Sequence, residues 1–220
     1  MGSRFTTLAE GKGPPVVLIH GFPQDWFEYH AIMPRLAKRF TVIGVDLRGV
    51  GGSTATRGGY DAAKMAKDVY QLAVTLKLER TYSVGHGIGG MVAYAFVRLY
   101  PQAARGAMIL DVPLTGIEGW DEIQGRPAMW HVRFMQVPGL AANAQFNAAQ
   151  RGPNDVPLFL AAASESPFAG LVPKMADGLR ANGCTHVETG LIPGGAHYVV
   201  EDQPEAVAGL IERHASPHSQ

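Results

Sequence analysis

Six short apolar runs limit what this chain can fold into. They are "PPVVLIHG" (14–21), "FTVIGVD" (40–46), "TYSVGH" (81–86), "GAMILDV" (106–112), "VPLFLAAA" (156–163) and "CTHVETGLIP" (184–193). None alternates cleanly between apolar and polar residues, as expected of strands covered on both faces. Helical spacing fills the gaps. In "DAAKMAKDVYQLAVTLKL" (61–78), Met65, Val69, Leu72, Ala73 and Leu76 form one stripe, with Asp61 placed as an N-cap. "GIGGMVAYAFVRLYP" (87–101) carries a second stripe that Pro101 ends, and "PEAVAGLIERHA" (204–215) a third that Pro204 starts. Strand–helix alternation predicts an α/β fold, a mainly parallel sheet with helices on both faces. Between about Pro113 and Pro157 no strand is expected, only one or two short helices and loops. The expected division is therefore a core of 1–112 and 157–220, with an excursion over the sheet at 113–156.

Composition narrows the function classes. The chain has 220 residues, 46% of them hydrophobic, with 19 basic against 19 acidic residues. That balance argues against nucleic acid as a partner. No apolar run reaches membrane-spanning length and no leader-like segment opens the chain, so no membrane partner and a cytoplasmic location are expected. The single cysteine, Cys184, excludes an internal disulfide and reads as a buried thiol. The histidines lack metal-ligand spacing, so neither metal nor cofactor is expected.

Chemistry concentrates at three strand ends. "GHGIGG" (85–90) is a tight glycine turn between a strand and a helix, the frame of a nucleophile elbow. Its tip is Gly87, and the helix amides that follow, beginning at Ile88, favour negative charge. Gly85, Gly87 and Gly90 also match a dinucleotide fingerprint, but no acidic residue follows at the right place to read a ribose. "HGFP" (20–23) can offer the Phe22 N–H, with that of Ile88, to a developing negative charge. His20 itself reads as a brace for the turn. Trp26, Phe27 and Tyr29 read as pocket or core residues. His197, in "IPGGAHYVVEDQPE", follows the last strand where a general base could overhang the strand ends. Its orienting acid would be Asp111, at a strand end, with Glu165 as the alternative.

These segments resemble the α/β-hydrolase superfamily, and within it the epoxide hydrolases and the haloalkane and haloacetate dehalogenases. The resemblance runs in order through "HGFPQDW", "DLRGVGGS", "VGHGIGGMVAYAFVRLYP", "LDVPL", "MWHVRFMQVPGLA" and "IPGGAHYVVEDQPEAV". It implies a water-activating base at His197, an orienting acid at Asp111 and an oxyanion hole from Phe22 and Ile88. It also implies substrate contacts at Pro23, Trp26 and Trp130. The family's nucleophilic Asp falls on Gly87. The cap is implied to be shortened to a remnant at 113–156, with no tyrosine between Tyr100 and Tyr198 to activate an epoxide. A short cap would uncover Trp120, Met129, Trp130, Phe134 and Met135, and exposed apolar surface favours a homodimer. Four readings follow: a hydrolase scaffold with covalent turnover lost or very slow, a non-catalytic binder of small apolar molecules, an interaction or structural module using the cap-remnant surface, or a His-base catalyst for activated esters or carbon acids.

Overall fold

The computed structural model describes residues 7–120, 122 and 139–217. Among them, seven strands form one sheet in the order β1-β3-β2-β4-β5-β6-β7. The strands are β1 (Thr7–Glu10), β2 (Pro15–Ile19), β3 (Thr41–Val45), β4 (Thr81–His86), β5 (Ala104–Leu110), β6 (Leu158–Ala163) and β7 (Val187–Ile192). β1 runs antiparallel to β3, and every other neighbouring pair is parallel. The six expected runs all became strands.

The lack of alternation has the expected cause. In β2, Val16 and Leu18 face one core cluster while Val17 and Ile19 face the other. β5 divides in the same way, Met108 and Leu110 against Ala107 and Ile109. One face is covered by α2 (Ala62–Thr75), α3 (Ile88–Leu99) and α5 (Val172–Ala181). The other is covered by the short α1 (Met33–Leu36), α6 (Val199–Asp202) and the last helix, α7 (Pro204–Ala215). α4 (Leu140–Ala149) lies in the stretch where only helices were expected. It is tied down by Asn143, whose Oδ1 accepts the Ala62 N–H at 2.7 Å, and by Asn147, which donates to the Thr115 carbonyl at 2.7 Å.

One expectation changes. Trp120 is not uncovered but buried, at 8% exposure, within the same core cluster as Leu171 and Met175. Met129, Trp130, Phe134 and Met135 lie outside the described residues. Cys184 is buried and free, and burial pushes its thiol up from its ordinary value. Among the described residues no helix is long and apolar enough to cross a membrane.

The connection from β2 leads to β3 on one side of it, whereas β4 pairs on the other. The strand order therefore reverses between β2 and β4. Loops that leave the carboxyl ends of strands at such a point diverge and open a crevice.

Candidate active site

β4 ends at His86 and α3 begins at Ile88, so Gly87 alone makes the turn. Two features of the sequence allow this. Gly89 lies so close to β2 that a Cβ there would come within 2.1 Å of the Ile19 carbonyl oxygen, so the helix crosses at backbone contact. Gly87 has φ +53° and ψ −127°, a backbone region that glycine occupies at little cost. A Cβ built on Gly87 would lie 3.3 Å from Gly21 Cα and 3.8 Å from His197 Nε2. A side chain at 87 would therefore stand between the "HGFP" turn and the His197 ring.

His197 is fixed from behind. Its Nδ1 lies 2.7 Å from Asp111 Oδ2. The carboxylate accepts there, so Nδ1 carries the hydrogen and Nε2 turns towards Gly87. Asp111 is fully buried. Its carboxylate also accepts the Ala163 N–H at 3.2 Å and the Ser166 hydroxyl at 2.9 Å. Its φ of +50° is an unusual conformation for a residue other than glycine. Backbone strain of this kind gathers at sites where the surroundings force a side chain into one place. Glu165, the rival acid, is exposed, and its neighbour Ser166 turns inward instead. Phe168 completes the setting, edge-on to the His197 ring at 5.8 Å between centroids.

His20 braces the turn as expected. Its Nε2 accepts the Leu47 N–H at 2.9 Å, and its Nδ1 lies 2.7 Å from the Gly21 carbonyl. An amide only donates and a carbonyl only accepts, so His20 is neutral with its hydrogen on Nδ1. Next to it, Phe22 is 53% exposed. Phe22 and Ile88 both line a cavity of about 490 Å³, together with Leu47, Val50, Met65 and Met91. Arg48 also reaches this cavity, but Asp68 and the Gly58 carbonyl occupy its three guanidinium nitrogens. Tyr60 and Asn143 line it too, with their polar atoms bonded to Thr56 and to Ala62 and Met91, so the wall is mainly apolar. Pro23 and Trp26 are not among its lining residues. Pro23 is exposed, and Trp26 packs against the second core cluster while its backbone N–H donates to Asp46 Oδ1 at 3.1 Å.

The sequence of the alpha/beta hydrolase fold family matches residues 14–150, more than half of the chain. The chain belongs to the α/β-hydrolase fold family. Among curated relatives it is 40% identical over 111 residues to a soluble epoxide hydrolase of Corynebacterium sp. (strain C12), covering 50% of this chain and 39% of that protein. It is 37% identical over 135 residues to a fluoroacetate dehalogenase of Burkholderia sp, covering 58% and 44%. The aligned part of the chain spans less than half the length of these relatives. Solved α/β-hydrolase neighbours confirm the fold. The wild-type Cfl2 structure from Burkholderia cenocepacia superposes with a TM-score of 0.86 at 22% identity, covering 98% of this chain and 93% of that one. The epoxide hydrolase CorEH without ligand gives 0.77 at 23%, covering 97% and 95%.

Two partners of this α/β-hydrolase site escaped sequence reasoning. Ser166 carried only the faint signal of a small polar residue beside the rival acid. Glu28 was hidden inside an aromatic stretch, "WFEYH". It is buried beneath the turn, with its Oε2 3.2 Å from His86 Nδ1.

Proposed function

We propose that this chain is an α/β-hydrolase of the epoxide hydrolase and dehalogenase type whose covalent step is blocked at Gly87. In this reading a carboxylate at 87 would attack a carbon of the substrate. His197 would then activate water against the ester, with Asp111 orienting it, and the Phe22 and Ile88 N–H groups would bind the negative charge that develops on the ester oxygen. Glycine has no atom with which to begin. Loss of a nucleophile costs about 10⁶ in kcat in a hydrolase whose other groups persist. Residues 113–156 would be the remnant of a cap.

The observation that carries the reading is the direction of the Cα–Cβ bond at 87, which would put a side chain 3.8 Å from His197 Nε2. A base, its carboxylate and the turn converge on a position that holds no side chain. The cavity supports a small, apolar and neutral ligand, because Arg48 is already spent on Asp68. This favours epoxide-like or ester-like molecules over free haloacids. The same cavity also supports a second reading, in which the protein binds such molecules without turning them over. A His197-activated water acting directly on an activated ester is the slow activity left to the first reading.

Steady-state hydrolysis of an aryl epoxide by the parent chain and by Gly87→Asp separates these. The scaffold reading expects turnover to rise by several orders of magnitude in Gly87→Asp. Equal inactivity in both proteins, each folded and each binding apolar ligands, favours the binder.

A further inference from the structure

His86 and Glu28 are buried titratable groups for which the chemistry above has no use. Their side chains are 1% and 0% exposed. The His86 ring is held at both nitrogens. Nε2 lies 2.6 Å from the backbone carbonyl oxygen of His197, and Nδ1 lies 3.2 Å from Glu28 Oε2. The same Glu28 oxygen accepts the Gly21 N–H at 3.4 Å. Gly21 presses on the ring as well: a Cβ there would come within 3.0 Å of His86 Nδ1. One buried pair thus touches all three parts of the site. These are the "HGFP" turn through Gly21, the glycine turn through His86, and the loop that carries His197.

Proton counting gives the pair its state. The His197 carbonyl only accepts, so Nε2 must carry a hydrogen. If Nδ1 were bare, its lone pair would face a carboxylate oxygen. The proton between Nδ1 and Glu28 can sit on either partner; attraction from Glu28, the His197 carbonyl and Asp111 favours it on the ring, and the cation then donates in two directions. We propose that His86, doubly protonated against Glu28, is the positioning residue for His197, holding the base loop by the carbonyl of the base itself. Asp111 fixes how the imidazole turns, and His86 fixes where its backbone stands. Neither role depends on what occupies position 87, so the proposal stands apart from the reading of Gly87.

The charged groups around the ring agree with this state. Glu28 and Tyr29 face it from the turn after β2, Asp111 from the end of β5, and His197 and Tyr198 from the loop after β7. Burial opposes the His86 charge, but hydrogen bonding and attraction from Glu28, with help from the His197 carbonyl and Asp111, raise it from the ordinary histidine value. The clamp is therefore full at low pH and lost as pH rises through the raised His86 value.

Nitrogen-detected NMR of the histidine rings tests this without any assay of turnover. In the parent chain His86 should show two protonated nitrogens at neutral pH and lose one only above the ordinary histidine range. In Glu28→Gln the amide can donate to a bare Nδ1, so His86 becomes neutral yet keeps its hydrogen on Nε2, and the His197 resonances should move little. In Glu28→Leu the His197 ring and backbone resonances should shift and broaden. A parent His86 that is singly protonated at neutral pH overturns the proposal, whether or not either variant folds. So do unchanged His197 resonances in a folded Glu28→Leu.

Discussion

Asp111 combines a strained backbone, complete burial and three donors on one carboxylate. A left-handed backbone at a residue other than glycine costs on the order of 1–3 kcal/mol. The donors offset it, so removing their acceptor should expose the full cost. Asp111→Ala leaves the Ala163 N–H and the Ser166 hydroxyl without a partner. We expect a loss of about 2–4 kcal/mol in urea unfolding, since an unsatisfied buried donor costs about 1–3 kcal/mol. A change below 0.5 kcal/mol, on the order of an ordinary surface substitution, would contradict this account of the site. Position 87 works in the opposite sense. Gly87→Asp must hold φ near +53° with a side chain and should lose about 1–3 kcal/mol while gaining chemistry. His86 adds a pH term. Its folded-state value is raised, so its contribution is full below the ordinary histidine range and falls away as pH rises through the folded value. Stability of the parent should therefore decline on the alkaline side more than that of Glu28→Gln.

At the level of elements, legibility followed local signals. α2 could be read because its N-cap and its stripe both lie in one stretch. The Asp61 carboxylate does accept the Lys64 N–H, at 3.0 Å. Asp61→Ala should cost about 1 kcal/mol, as cap removal commonly does, measured by thermal or urea unfolding. α3 was legible from the glycines that start it and the proline that follows it. α5 carries a weaker signal, although Val172, Met175, Ala176 and Leu179 repeat at helical spacing and are all buried. Its signal was diluted by exposed charge and by the loop before it. α4 is held by Asn143 and Asn147, and polar contacts between distant segments leave no periodicity to read. The Asp111–His197 pair was legible because both residues follow the carboxyl ends of strands, β5 and β7, which brings them to one edge of a parallel sheet. The Glu28–His86 pair was not, because its members are joined by packing between two turns 58 residues apart.

On the scale of the molecule, the reversal of strand order between β2 and β4 puts the "HGFP" turn beside the glycine turn and opens the apolar cavity there. Strand order needs pairing across the chain, which six apolar runs do not specify by themselves. Cavity and turn together predict stabilisation by small neutral apolar ligands. A ligand at 100 times its Kd should add about 2.7 kcal/mol to unfolding. Differential scanning in the presence of an aryl epoxide or its diol measures it, and no shift in melting temperature at millimolar ligand would tell against the cavity as a binding site. The reading of Gly87 has a more direct test. Gly87→Asp combined with His197→Gln should attack an aryl epoxide and be unable to hydrolyse the ester that forms. Intact-mass spectrometry should then find the protein heavier by the mass of one epoxide, carried on residue 87, while His197→Gln with Gly87 in place stays unmodified. If the doubly substituted protein folds, binds the epoxide and gains no mass, position 87 is not where a nucleophile belongs.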